Sequence, residues 1–136
     1  MIVVDTNLIA YLYLESKHSP LAEQAWLKDA EWAAPLLWRS EFRNVLALYI
    51  RKHWLSLAES QQIMNEALHL MEDREYEVDS QQVLRLVTIS TCSAYDCEFV
   101  ALAQELGTSL VTADKQILKD FPAVAVPVET FISTQE

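Results

Sequence analysis

Glycine is almost missing from this chain, with one residue in 136. That excludes a glycine-rich phosphate loop, which needs several positions without a Cβ so that backbone N–H groups can close on an anion. Cysteine is scarce too. The two present, Cys92 and Cys97, are spaced neither as a zinc knuckle nor as a redox pair, and read as reduced thiols within the packing. The three histidines, His18, His53 and His69, are scattered and offer no shared ligand set. No run approaches the roughly 18 apolar residues a bilayer demands, and no basic start leads into an apolar stretch with a small-residue cleavage site. Positive charge is the last shortage: 10 Lys and Arg stand against 20 Asp and Glu, a formal net charge of −10. Proteins that coat nucleic acid are usually basic, because phosphate neutralisation supplies much of their affinity. If this chain engages a polyanion, something else must invert the local field, and a bound divalent cation would do so.

What is present suits a packed domain. Apolar residues make up 51% of the sequence, with no repeat or low-complexity tract among them. The simplest organisation is one domain over residues 1–136, long enough to bury roughly two-thirds of the surface its unfolded chain exposes. With no spanning or leader segment in view, the expected location is the cytoplasm.

Hydrophobic spacing outlines alternating elements. Ile2–Val4 reads as a buried strand, after which Thr6 or Asn7 can cap a helix over about Leu8–Leu14. Ser19 and Pro20 open a second helix toward Asp29, and Trp32–Ala34 reads as a strand ended by Pro35. From Leu37 to about His53, the residues Phe42, Val45, Leu46, Tyr49 and Ile50 recur at helical spacing. Ser56 and Glu59 form a capping box for a helix whose stripe is Ile63, Ala67, Leu70 and Met71. Tyr76–Val78 is a third strand candidate and Ser80–Ile89 another helix. Ser93 starts a helix that runs to Leu106, with Gly107 as its C-terminal cap. Ser109–Thr112 reads as a strand, Lys115–Lys119 as one or two helical turns, and Ala123–Val126 as a last strand. Strands separated by helices imply right-handed crossovers and a parallel sheet covered on both faces. Ligand crevices in such sheets lie beyond the carboxyl ends of the strands.

Four acids head for that crevice. Asp5 follows the first strand and Asp114 follows the strand SLVT, although each could equally serve only as a helix cap. Asp96 fits a Ser-x-x-acid cap with Ser93, yet it shares a helical face with Phe99, Val100 and Ala103, the face that should pack on the sheet. Glu98 lies off that face and reads as mostly solvated. Glu41 stands early in an amphipathic helix above Val45 and Leu48, on a side read as largely buried. Arg39 and Arg43 are spaced off its face, so an ion pair does not explain an inward Glu, while a rim Glu in solvent remains the plain alternative.

Carboxylates gathered at one place repel one another and raise one another's pKa values. A hard cation removes the conflict, and oxygen-only ligands suit Mg²⁺ or Mn²⁺ rather than zinc. At a phosphodiester such an ion generates hydroxide from bound water and stabilises the leaving oxygen.

Taken in order, VVDTNLIAYL, LLWRSEFRNVLAL, SAYDCEFVALAQELG and LVTADKQILKDF resemble the four acidic motifs of PIN-domain ribonucleases, with the nearest likeness to VapC toxins of toxin–antitoxin systems. The resemblance spans nearly the whole chain. It implies a three-layer α/β/α fold around a parallel sheet of about five strands, and Mg²⁺- or Mn²⁺-dependent cleavage of RNA that leaves a 5′-phosphate and a 3′-hydroxyl. It implies Asp5, Glu41, Asp96 and Asp114 as the catalytic and metal-holding acids, with Asn7 and Thr112 as supporting polar residues. It also implies a homodimer held inactive by an antitoxin whose tail reaches into the site.

The basic residues best suited to meet an RNA backbone are Arg39, Arg43, Arg51, Lys52 and Lys115, each of which would be equally at home on a solvated face. Trp38 or Trp54, if exposed, could stack on unpaired bases; otherwise they belong to the core or to a dimer contact. Other functions fit less well. Asp-Thr at a strand end also occurs in haloacid-dehalogenase-like phosphatases, but their second acid, two residues on, is here Asn7. Receiver domains need an acidic pair after the first strand, which is absent. A PIN-like module that binds RNA or a partner without cutting would have no need to maintain four repelling acids. A free-standing nuclease without an antitoxin is the remaining alternative.

Overall fold

A computed structural model describes residues 1–134 of the chain. Strand β1, Ile2–Val4, is buried throughout. This is where an all-apolar, β-branched run belongs in a sheet covered on both faces. Helix α1, Thr6–Tyr13, begins two residues earlier than the expected start at Leu8. Asp5, rather than Thr6 or Asn7, is its cap, and the carboxylate accepts from the backbone N–H of Leu8 at 2.9 Å. Helix α2, Ser19–Lys28, follows, with Pro20 in its first turn, where a missing N–H costs nothing. Strand β2 is Trp32–Pro35, and helix α3 is Leu37–Arg51.

Helix α4, Leu57–Leu70, carries the full capping box between Ser56 and Glu59. Strand β3 is only Glu75–Tyr76, so Val78 falls outside it. Helix α5, Ser80–Thr88, and helix α6, Ala94–Leu106, come next. Gly107 ends α6 in the left-handed region at φ +64°, which glycine alone adopts without a Cβ penalty. Strand β4, Leu110–Thr112, leads into helix α7, Lys115–Asp120. Strand β5 is Ala125–Pro127, and one further helix, α8 (Val128–Ser133), follows it.

The sheet order is β3-β2-β1-β4-β5, with every neighbouring pair parallel. Strand β1 is central: Val3 stands opposite Ala33 on one side and Leu110 on the other. Helix α6 lies on β1, β2 and β4 and packs with α5, while α3 contacts β2 and packs with α1 and α4. The result is a three-layer α/β/α arrangement. Chain order reverses across β1, so the carboxyl ends of β1 and β4 flank the switch point where such sheets hold ligands.

Two sequence expectations about α3 change. Trp38 is not available to stack on a base: it is fully buried with Trp32 and Phe42 among the largest core side chains, and its indole N–H donates to Glu75 at 2.7 Å. Leu48, expected on the buried side beneath Glu41, is 48% exposed. The buried stripe runs through Trp38, Phe42 and Leu46, and Leu48 falls on its outer border.

Candidate active site

Asp5, Glu41, Asp96 and Asp114 all line one cavity of about 270 Å³ at the carboxyl ends of β1 and β4. Four elements deliver them. Asp5 follows β1 as the cap of α1, and Glu41 stands in the second turn of α3. Asp96 lies in the first turn of α6, where its backbone N–H donates to the Ser93 hydroxyl at 3.1 Å. Asp114 caps α7, accepting from the N–H groups of Gln116 and Ile117 at 2.9 and 3.0 Å. Capping and a shared site are therefore compatible: Asp5 and Asp114 each use one oxygen on a helix while their side chains border the cavity.

Hydroxyls orient the acids. Thr112, fully buried at the end of β4, donates to the second carboxylate oxygen of Asp5 and accepts from the Asp114 backbone N–H at 3.0 Å. One threonine thus connects the two strand-end acids. Across the cavity, Thr6 donates to Glu41 at 2.7 Å. This role was not legible in the sequence, where Thr6 offered itself only as a cap. Asn7 and Asn44 also line the cavity. Asn44 sits one turn beyond Glu41, and that spacing was the signal that could have identified it.

Burial pushes the Asp5 carboxyl up to about 6. The bonds from Thr112 and Leu8 oppose the rise, and the charges of Asp114 and Glu41 add to it. Glu41 is likewise raised, first by burial and then by Asp96, against the opposing bond from Thr6. Glu98 departs from its solvated expectation. It is half-buried, and burial together with the charge of Glu41 lifts its pKa, so a fifth carboxylate stands within reach of the same field.

No lysine, arginine or histidine lines this cavity, so nothing there neutralises the acids. Among the described residues, no three Asp, Glu, His or Cys side chains stand close enough to hold an ion between them as placed. The set is therefore not a closed shell in which all four acids ligate directly. It suits a hard cation held by one or two carboxylates and by water to the rest, which is how Mg²⁺ is commonly bound. The donor chemistry, entirely oxygen, fits that ion and Mn²⁺.

The basic residues fall elsewhere. Arg39 is committed to Glu75 through two bonds of 2.5 and 2.6 Å. Arg43 is exposed and donates to Ser40 one turn back at 3.1 Å. Lys115 is exposed beside Asp114 at the start of α7. None of the three borders the cavity.

Comparison with known proteins identifies the family and the fold. The family model described as PIN domain matches residues 2–124. Ribonuclease VapC3 of Pyrobaculum aerophilum is 29% identical over 129 residues, covering 93% of this chain and 98% of that protein. Among solved structures, a crystal structure from Pyrobaculum aerophilum superposes with a TM-score of 0.75 at 23% identity, over 96% of this chain and 92% of that one. A toxin–antitoxin complex from Klebsiella pneumoniae gives 0.70 at 17% identity, over 94% and 98%. FitAcB from Neisseria gonorrhoeae gives 0.71 at 17% identity, over 95% and 99%. At these identities the structural likenesses concern the fold, while the family match covers most of the sequence. The chain belongs to the PIN domain family.

Proposed function

We propose that this chain is an Mg²⁺- or Mn²⁺-dependent endoribonuclease of the cytoplasm, acting as a single domain and serving as the toxin of a toxin–antitoxin pair. The observation that carries the reading is the convergence of Asp5, Glu41, Asp96 and Asp114 on one cavity that contains no basic side chain. A site maintained at the cost of mutual repulsion, with Asp5 held near a pKa of 6, calls for a cation. The name of the relative Ribonuclease VapC3 supports RNA as the substrate, and the toxin–antitoxin complex from Klebsiella pneumoniae supports an antitoxin partner.

Asp5, Asp96 and Asp114 would hold the ion, one or two of them directly and the rest through water, with Glu41 as a further water-bridged ligand or as the residue that orients the attacking water. When bound, the ion supplies acidified water and neutralises charge on the phosphate. The residues supply placement. Thr112 and the Leu8 N–H fix both oxygens of Asp5, so its carboxylate cannot rotate away. Thr6 fixes one oxygen of Glu41 and leaves the other free for water. In the reaction a water oxygen bonds to phosphorus and the bond from phosphorus to the 3′ oxygen breaks, which yields a 5′-phosphate and a 3′-hydroxyl.

A homodimer is part of this reading, with the exposed Leu84 and Ile89 on and just after α5 as its contact. Light scattering that returned a monomer would remove that part. The main test is cleavage of RNA by the purified protein with Mn²⁺. Activity should disappear on chelation and in Asp5→Asn. RNA left intact by the wild type, together with undiminished toxicity of Asp5→Asn in cells, would sink the proposal.

A further inference from the structure

The charge of this protein is unevenly distributed. Residues 39–54 hold four of its ten Lys and Arg, namely Arg39, Arg43, Arg51 and Lys52, and a single acid, Glu41. The rest of the chain carries six basic residues against nineteen acids. This concentration lies on α3 and the turn that follows it, and α3 is the helix that delivers Glu41 to the cavity.

The helix connects the two places along one edge. Glu41, Asn44, Leu48 and Arg51 succeed one another by three or four residues, so their side chains line up along α3. Asn44 borders the cavity, and Asn44, Leu48 and Arg51 are all exposed. At 1.5 Å per residue, Arg51 lies about 15 Å along the helix from Glu41.

At the far end the chain turns sharply. His53 adopts φ +59°, in the left-handed region that histidine enters more readily than most side chains. The Trp54 backbone N–H closes the turn onto the Tyr49 carbonyl at 2.9 Å. Trp54 emerges from it 60% exposed. Its ring is held edge-on by Tyr49, with centroids 5.2 Å apart, and the Lys52 ammonium stands 4.6 Å from its centroid. Among the described residues neither Arg51 nor Lys52 has an ion-pair partner. In contrast, Arg39 is bound to Glu75, and Arg74 and Lys28 are spent on backbone carbonyls.

We infer that this edge of α3 binds single-stranded RNA on its way to the acidic cavity: Arg51 and Lys52 meet backbone phosphates, Trp54 stacks on a base, and Asn44 receives the strand where it enters. The inference rests on the nuclease reading above and names the substrate surface of that site. The bound ion neutralises the cavity alone, so a longer strand needs cations outside it, and this elbow sets two unpaired cations beside an exposed indole. A fixed, exposed indole beside two cations is the combination that holds unpaired bases without selecting sequence. The separation of about 15 Å lets a strand of a few nucleotides reach both ends.

The test uses the full chain carrying Asp5→Asn, so that bound RNA stays whole, and a fluorescein-labelled, mixed-sequence single-stranded RNA read by anisotropy. The double variant Arg51→Ala/Lys52→Ala should bind about tenfold more weakly. Its plot of log affinity against log salt should be shallower by about 1.4, from about 0.7 for each lost phosphate contact on a single strand. Trp54→Ala should also lose about tenfold, with its salt slope unchanged. All three side chains are exposed, and circular dichroism verifies that the variants remain folded. Affinity and slope retained in both variants would overturn the assignment. So would retained RNA affinity combined with a lower mass of Trp54→Ala in light scattering, because the patch would then belong to a second copy of the chain. The two readings fail separately. An otherwise wild-type chain that binds RNA through these residues but never cuts it with Mn²⁺ keeps the surface and loses the nuclease. A chain that cuts RNA with KM unchanged by the three substitutions keeps the nuclease and loses the surface.

Discussion

Asp5 has two duties that oppose each other. As a cap and as the acceptor for Thr112 it stabilises the junction of β1, α1 and β4, and as a buried carboxylate it opposes folding whenever it is ionised. Its pKa rises from 3.8 to about 6 on folding, so the native state holds the proton more tightly than the unfolded chain does. Stability from this group is complete below pH 4 and is lost as pH rises toward 6, a loss of about 3 kcal/mol at most. Asp5→Asn keeps a cap and removes the charge. In metal-free buffer its Tm should exceed that of the wild type by several degrees at pH 7, and the advantage should shrink as pH falls from 6 to 4. Thermal scans across that range check it, and a lower Tm for the variant at pH 7 would contradict the account. The acids themselves were legible because each follows an apolar strand or heads an inward helical stripe. Thr6 was not, because a hydroxyl that reaches 35 positions along the chain to Glu41 leaves no periodic trace.

Helix ends were the most readable parts of the chain, since their signals lie within three or four residues. Ser56 with Glu59, Ser93 before α6, and Gly107 after it all stand where local chemistry puts them. Gly107→Ala has open space for its methyl group, so its cost is confined to the left-handed backbone. The variant should lose about 1 kcal/mol in denaturant melts. The inward side of α3 was less readable. Spacing yields two overlapping apolar stripes, and only packing against α1, α4 and β2 selects the one through Trp38 and leaves Leu48 outside. Helix α8 is a single short segment after Pro127, too brief for periodicity to declare it. The bond from Arg39 to Glu75 ties α3 to the edge strand β3, and the arginine holds the Glu75 carboxyl below its usual range. A lowered pKa gives stability that is present at neutral pH and lost as pH falls through the folded value. Glu75→Gln should therefore cost up to about 1 kcal/mol at pH 7 and progressively less below pH 4, as read by chemical denaturation.

For the molecule as a whole, the fold class followed from alternation of strands and helices, while strand order did not, because pairing partners lie far apart in sequence. The proposed ion site should make the stability of the whole fold respond to divalent ions. The proposed ion site exists only in the folded chain, so wild-type Tm should climb with Mn²⁺ concentration by the amount RT ln(1 + [Mn²⁺]/Kd) dictates. Asp5→Asn and Asp96→Asn should be nearly indifferent in the same fluorimetric scan, and an equal rise in all three would place the ion elsewhere. The central position of β1 has a further effect on when the acidic cavity can form. Strand β1 pairs with β4, and Asp5 is locked by Thr112, 107 residues later. A chain made from its N-terminal side therefore carries Asp5 unassembled until β4 has been added. The acidic cavity cannot close before the segment that carries Thr112 and Asp114 has been made.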